Sequence, residues 1–256
     1  MWHSRSWNDG RRDLKSHDLI HCLLIGNTRW HWGEKEKNSW HFSHSYPDKQ
    51  KLDTLSQSLI AWAAVGPIPK EVSLNPTQRI SINNVPLKNL PPSLGIDRAL
   101  AAWSAFKQTK RSQNNKSDLL IADAGTVLSL TKITQNGEFA GGQLVPGLRM
   151  QLAAMTQGTA NLPDPGHHKN KELLDFPVET KEAMLKGSLQ ALIGVLSEAH
   201  KLSKTPLWLC GGDAPLLKEG LKKQKIDIIH NPNLVLEGLV DIHKIVNQEQ
   251  GQIEFD

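Results

Sequence analysis

One arrangement limits what this chain can fold into more than any other. An apolar strand, a turn built on Gly and Thr, and a second, alternating strand occur twice, about 100 residues apart. In the first copy Leu19 to Ile25 is nearly continuous apolar sequence, Gly26-Asn27-Thr28 is the turn, and Arg29-Trp30-His31-Trp32 alternates polar with aromatic. In the second, Leu119 to Ala122 is apolar, Asp123-Ala124-Gly125-Thr126 is the turn, and Val127 to Thr134 alternates. A short continuous apolar run fits a strand covered on both faces, and alternation fits one covered on a single face. Each copy is followed by helical periodicity. A repeated supersecondary unit of this kind predicts two similar α/β halves, with a ligand cleft between them.

The halves are expected at residues 18–112 and 113–256, after a disordered extension over residues 1–17. Within the first half, residues 34–50 read as a hairpin tip and loop, 51–64 as a helix, 71–90 as short strands, and the run from Asp97 as a helix. Within the second, Asn136-Gly137 signals a hairpin and 138–140 opens a third strand. Gly141-Gly142 and Pro146-Gly147 then lead into a helix at 148–156. A loop over 157–179, a helix at 180–202 capped by Thr180, a strand at 206–210, a helix at 214–223, a strand at 226–229 and a helix from 234 follow.

Composition narrows the class. Apolar residues make up 38% and charged residues 22%, which suits a globular chain. No run reaches the roughly eighteen apolar residues of a membrane span, and the first residues lack an apolar signal core. No membrane and a cytoplasmic location are the expectation. The net charge of +4 suits an anionic ligand, and the scattered Lys and Arg argue against nucleic acid. Cys22 and Cys210 lie in apolar runs and read as buried thiols. Six of the eleven histidines precede residue 63, in a spacing that matches no zinc pattern. Trp30 and Trp32 read as packing residues.

The turns carry the candidate chemistry. Phosphate oxygens need backbone N–H donors that can come close, and glycine permits the approach. Leu24, Ile25, Gly26, Asn27, Thr28 and Arg29 form the expected nucleotide side of the first turn. Thr126 supplies it in the second, with Gly211-Gly212 after a later strand. Asp123 sits at the mouth of a buried strand, where a carboxylate needs a pairing partner or a cation; a turn-capping role is the alternative. Asp97 is either a helix-start acid or a general base that takes a hydroxyl proton. Arg98 beside it suits anionic oxygens.

These segments together resemble the type III pantothenate kinase family of the acetate kinase, sugar kinase, Hsp70 and actin superfamily. The resemblance rests on Gly26-Asn27-Thr28, Gly95-Ile96-Asp97-Arg98 and Asp123-Ala124-Gly125-Thr126. It extends through Gly141-Gly142 with Leu144 to Leu148, Ala160 to Pro163, Thr180 with Gly187, Gly211 to Ala214, and Asn233 to Leu239, covering about residues 19 to 243. It implies a duplicated actin-like (ribonuclease H-like) α/β fold and phosphorylation of pantothenate by ATP with Mg²⁺, the first step toward coenzyme A. It implies that Asp97 accepts the proton and that Gly95, Ile96, Asp97, Arg98 and Thr180 contact pantothenate. Asp123 would hold a potassium or ammonium ion and Thr126 would meet ATP. A cytoplasmic homodimer is implied as well. The chain departs from the family at Leu24, where the family has an aspartate, and it lacks the family's tyrosine upstream of Gly95, its single tyrosine being Tyr46. Two other readings stand beside this one: a weakened nucleotide-binding accessory protein, and a kinase of the same superfamily with another hydroxyl substrate.

Overall fold

A computed structural model describes residues 19–111, 117–164, 166 and 173–253, with side chains as far as residue 248. The extension expected at residues 1–17 and the junction at 112–113 lie, wholly or in part, outside the described residues.

The repeat in the sequence becomes a repeat of sheets. In the first, β1 (Ile20–Ile25) pairs antiparallel with β2 (Trp30–Glu36), which pairs with β3 (Ser39–Ser45). After α1 (Lys49–Leu55), β4 (Leu59–Ala64) lies parallel to β1 on its other side, giving the order β3-β2-β1-β4. Helix α2 (Ile96–Arg111) leads to the second sheet. There β5 (Leu119–Ala124), β6 (Val127–Ile133) and β7 (Phe139–Pro146) repeat the antiparallel meander. After α3 (Leu148–Gly158) and α4 (Thr180–Ser203), β8 (Leu207–Cys210) pairs parallel with β5. Then α5 (Ala214–Lys223), β9 (Ile228–His230) and α6 (Leu234–Ile253) complete the described chain, and the second sheet reads β7-β6-β5-β8-β9.

Helices α2 and α6 fill the space between the sheets. One core joins Leu24 and Ala61 of the first sheet, Ile121 and Trp208 of the second, and Leu100 and Leu239 of the two helices. The outer face of the first sheet buries Leu23, Ile25, Trp30, Trp32 and Trp62 with Leu52 of α1. The outer face of the second buries Leu128 and Leu130 against α3, α4 and α5. This double coverage is why β1 and β5 read as unbroken apolar runs. It also makes Trp30 and Trp32 core residues, as expected, and leaves Cys22 and Cys210 as buried free thiols.

Four stretches depart from the sequence reading. Residues 51–64 are not one helix: α1 stops at Leu55 and 59–64 is strand. Ala61 and Ala63 face the inner core and Trp62 the outer, so both faces are apolar and periodicity does not separate strand from helix. Residues 34–50 hold β3 rather than a loop, with Lys37 at φ +54° in the hairpin turn. Residues 71–90 form two short 3₁₀ turns, Pro76–Gln78 and Ile82–Asn84, with only isolated bridges at Arg79 and Lys88. Finally, β7 runs on to Pro146, so Gly141 and Gly142 sit inside a strand. Thr180 is the first residue of α4, not its cap, which is Glu179.

Candidate active site

The two turns meet. Each lies at the C-terminal end of its sheet's central strand, and the hydroxyls of Thr28 and Thr126 are 2.9 Å apart, a hydrogen bond across the two halves. The Gly26 N–H donates to the Arg29 carbonyl at 3.0 Å and the Gly125 N–H to the Val127 carbonyl at 3.3 Å, which closes both turns tightly.

Behind each turn stands a glycine at the end of the neighbouring parallel strand. After β4, Gly66 backs onto the first turn, and a Cβ there would lie 2.2 Å from the Gly26 carbonyl oxygen. After β8, Gly211 takes φ +92°, and a Cβ there would lie 2.5 Å from both the Ala124 carbonyl oxygen and Asp123 Oδ1. Only glycine fits so close an approach, and at Gly211 the backbone conformation demands it too. The Asp213 N–H then donates to the Ala124 carbonyl at 2.8 Å. Gly211 is therefore packed onto the second turn, while a side chain at Gly212 would meet nothing within 4 Å. Gly66, read from sequence only as the start of a connection, is its counterpart.

Two carboxylates gather below the turns. Asp97 lies in the first turn of α2, and its Oδ1 accepts the Arg98 N–H at 2.8 Å. Burial raises its pKa, opposed by the Arg98 N–H and guanidinium. Asp123 is the penultimate residue of β5, its Oδ1 close to Gly211. Burial pushes its carboxyl up to about 7, the charge of Asp97 adds to the rise, and a hydrogen bond from the Cys210 thiol opposes it. Asp123 still keeps part of its surface open. The thiol of Cys210 is in turn held well above its ordinary pKa by burial and by the Asp123 charge. A crowded carboxylate whose charge is relieved by no arginine or lysine among the described residues suits a bound cation. Among the described residues no group of three or more His, Cys, Asp or Glu side chains is placed to hold a metal ion. A divalent ion would thus depend on nucleotide phosphates and water for most of its ligands.

The other expected residues divide. Leu24 and Ile25 have fully packed side chains, 3% and 0% exposed. They offer the turn only backbone, and the Ile25 carbonyl already accepts from the N–H groups of Val65 and Gly66. Leu24 thus lies in the inner core and has no ligand atom to give. Asn27 and Arg29 are exposed, with the Arg29 guanidinium 4.8 Å from the centre of the Tyr46 ring. Arg98 is committed elsewhere: its Nε donates to Thr131 Oγ1 at 3.1 Å and its Nη2 to the Leu130 carbonyl at 2.9 Å. This anchors α2 to β6, and a Cβ at Gly142 would lie 2.4 Å from that Nη2, which explains a glycine inside β7. Gly95 and Ile96 line an open cavity of about 320 Å³, together with Val65, Arg79 and Leu94. Thr180 is exposed at the start of α4, which packs in the outer layer of the second sheet. No hydrogen bond among the described residues joins it to Asp97 or the turns.

Sequence reasoning missed one group beside the first turn. His31, directly across from Leu24 on β2, has its Nε2 3.4 Å from where a Cβ on Gly26 would lie. Its Nδ1 is 2.8 Å from Nδ1 of His44, its partner on β3. Alternation in Arg29 to Trp32 sets His31 on the face opposite the two tryptophans, but the register that brings it beside Leu24 and His44 is not contained in that pattern.

Known proteins share this architecture. A Campylobacter jejuni protein assigned to the Baf family of transcriptional activators superposes with a TM-score of 0.60 at 17% identity, covering 90% of this chain and all of its own. A Sinorhizobium meliloti protein assigned as a 2-dehydro-3-deoxygalactonokinase gives 0.52 at 12% identity, covering 89% and 99%. These likenesses show the fold, which is the duplicated actin-like α/β fold. In sequence, the type III pantothenate kinase from Synechococcus sp. (strain JA-3-3Ab) is 30% identical over 242 residues, 90% of this chain and 96% of its own. That from Synechococcus elongatus is 31% identical over 242 residues, 85% and 93%. The profile of the type III pantothenate kinases matches residues 70–201, just over half of the chain. With a family profile across half its length and relatives near 30% identity along most of the rest, this chain belongs to the type III pantothenate kinase family.

Proposed function

We propose that this protein transfers the γ-phosphoryl group of ATP to the primary hydroxyl of pantothenate, giving 4′-phosphopantothenate, the first step of coenzyme A synthesis. The observation that carries the reading is the Thr28–Thr126 hydrogen bond. It brings two glycine turns from opposite halves, 18–112 and 113–256, onto one spot, with Asp97 and Asp123 below.

The nucleotide phosphates lie against Gly26, Asn27, Thr28 and Thr126, with Leu24 and Ile25 contributing backbone, Arg29 the rim, and Gly211-Gly212 the far wall. Pantothenate approaches from the side of Gly95 and Ile96, with Thr180 as a further contact. Its hydroxyl oxygen forms the new bond to the γ-phosphorus as the bond to the ADP oxygen breaks, and the proton passes to Asp97. Oδ1 of Asp97 is occupied by the Arg98 N–H, which leaves Oδ2 to receive it. The raised pKa makes Asp97 a stronger base than a surface aspartate. Arg98 holds α2 in place through Thr131 and Leu130 rather than contacting phosphate directly. Asp123 would hold a potassium or ammonium ion, and Mg²⁺ bound with ATP would supply positive charge to the transferring oxygens. The working form is a cytoplasmic homodimer.

Leu24 favours a second reading, a nucleotide-binding accessory protein, because its buried side chain replaces a carboxylate. One assay separates the two. Purified protein is incubated with ATP, Mg²⁺, K⁺ and labelled pantothenate beside an Asp97→Asn control. A base of this kind contributes about 10² to 10⁴ in rate, so the control is expected to lose that much. Product no greater than in the control would sink the kinase reading, and retained ATP binding would then support the accessory one.

A further inference from the structure

We infer that His31 is a nucleotide-binding residue of the first turn, donating a hydrogen bond from Nε2 to a phosphate oxygen, and that His44 is the positioning residue that gives it the right tautomer. The inference deepens the proposed reading and rests on it, since it takes the first turn as the phosphate side.

Three observations lead here. The first is place. His31 lies across from Leu24 in the β1–β2 register, so both side chains are on the inner face of the sheet, where the core cluster contains Leu24, Ala61 and Ala63. The position that lacks a polar group on β1 therefore has one beside it on β2. The second is direction. His31 Nε2 is 3.4 Å and Cδ2 3.6 Å from the point where a Gly26 side chain would start. The edge of the ring that carries Nε2 thus faces the turn that closes over Gly26-Asn27-Thr28. The third is fixation. Nδ1 of His31 is 2.8 Å from Nδ1 of His44, and the rings meet edge to face with centres 4.9 Å apart.

Two neutral imidazoles joined through their Nδ1 atoms share one proton in that bond. His44 is the more exposed ring and gains a proton more easily than His31, whose pKa is lowered to about 4 by burial, His44 and Arg29. With His44 as the donor of that bond, the shared proton sits on its Nδ1. His31 then accepts at Nδ1 and keeps its own proton on Nε2, which faces the turn. The Arg29 guanidinium also lowers the pKa of His44, after burial. A His31 that stays neutral offers an N–H to phosphate without adding a second cation beside Arg29. A hydrogen bond to a charged oxygen is among the stronger kinds.

The test reads nucleotide binding directly, so it does not depend on turnover. Wild type, His31→Leu, His31→Gln and His44→Phe are titrated with MgATP by calorimetry, and the two KM values are measured where turnover exists. His31→Leu is expected to weaken ATP about tenfold and to raise the KM for ATP while leaving that for pantothenate unchanged. His31→Gln, which keeps an N–H near the same point, is expected to recover part of the loss. If the leucine variant does not fold, the tautomer of His31 in the wild type decides. In ¹⁵N spectra His31 is expected as the Nε2–H tautomer in wild type and as a mixture in His44→Phe. ATP affinity within twofold of wild type in folded His31→Leu overturns the inference, as does a wild-type His31 ring carrying its proton on Nδ1. If wild type binds ATP but makes no phosphopantothenate, the proposed function fails while this inference is still decided by the titrations. If wild type binds no ATP, both fall.

Discussion

Replacing Asp123 by asparagine is expected to make the ligand-free protein more stable at alkaline pH while removing the proposed cation site. Asp123 has a pKa of about 7 in the fold against 3.8 ordinarily. The unfolded chain therefore releases this proton well before the folded one does. As pH rises from about 4 to about 7 the folded state pays an increasing penalty, which is full above that window and absent below it. At about 1.36 kcal/mol for each tenfold change in acidity, the full difference is about 4 kcal/mol. Because part of Asp123 remains open to solvent, about 2 kcal/mol is the figure expected in practice. For a chain of this size that corresponds to about 4 to 8 °C in melting temperature. The assay is thermal unfolding of wild type and Asp123→Asn in sodium buffers free of potassium and ammonium, at pH 4 and pH 8. The variant should melt higher at pH 8 and level with wild type at pH 4. Added potassium should stabilise wild type alone. An Asp123→Asn protein that melts at or below wild type at pH 8, or a difference that does not change with pH, would refute the reasoning.

Gly211→Ala forces a side chain to within 2.5 Å of the Ala124 carbonyl oxygen and Asp123 Oδ1 at φ +92°. A loss of about 1 to 3 kcal/mol is expected, with weakened ATP binding, read by denaturant melts and calorimetry. Leu24→Asp places a carboxylate in a core position that is 3% exposed, so a loss of roughly 2 kcal/mol or more is expected. Its turnover should not rise; a large gain would show that the native site is held back by the missing carboxylate.

The repeat, the two turns and the helix that starts at Gly95-Ile96-Asp97-Arg98 were legible because each is local. An apolar run, a Gly-Thr turn and a 3.6-residue period carry their meaning within ten or so residues. Where the reading failed, the deciding partner was distant. Residues 59–64 become a strand only because β1 offers its free edge to them, and Gly142 belongs to a strand because β6 pairs with it, its missing side chain leaving room for Arg98 and the Leu130 carbonyl. The same holds at the site. Sequence named Asp97, Asp123, Thr28 and Thr126 as candidates, but not that the two threonines touch or that the charge of Asp97 raises the pKa of Asp123.

The amino-acid sequence by itself determined that this is a duplicated α/β chain with glycine turns at the ends of two buried strands, since burial on both faces and close backbone approach leave direct marks in residue type. Only the tertiary structure decided which side chains serve those turns. It tied Arg98 to β6, packed Leu24 into the inner core, and turned His31 toward Gly26. Such choices depend on which strand lies beside which, and hydrogen-bonded register between distant segments is not written in either one alone.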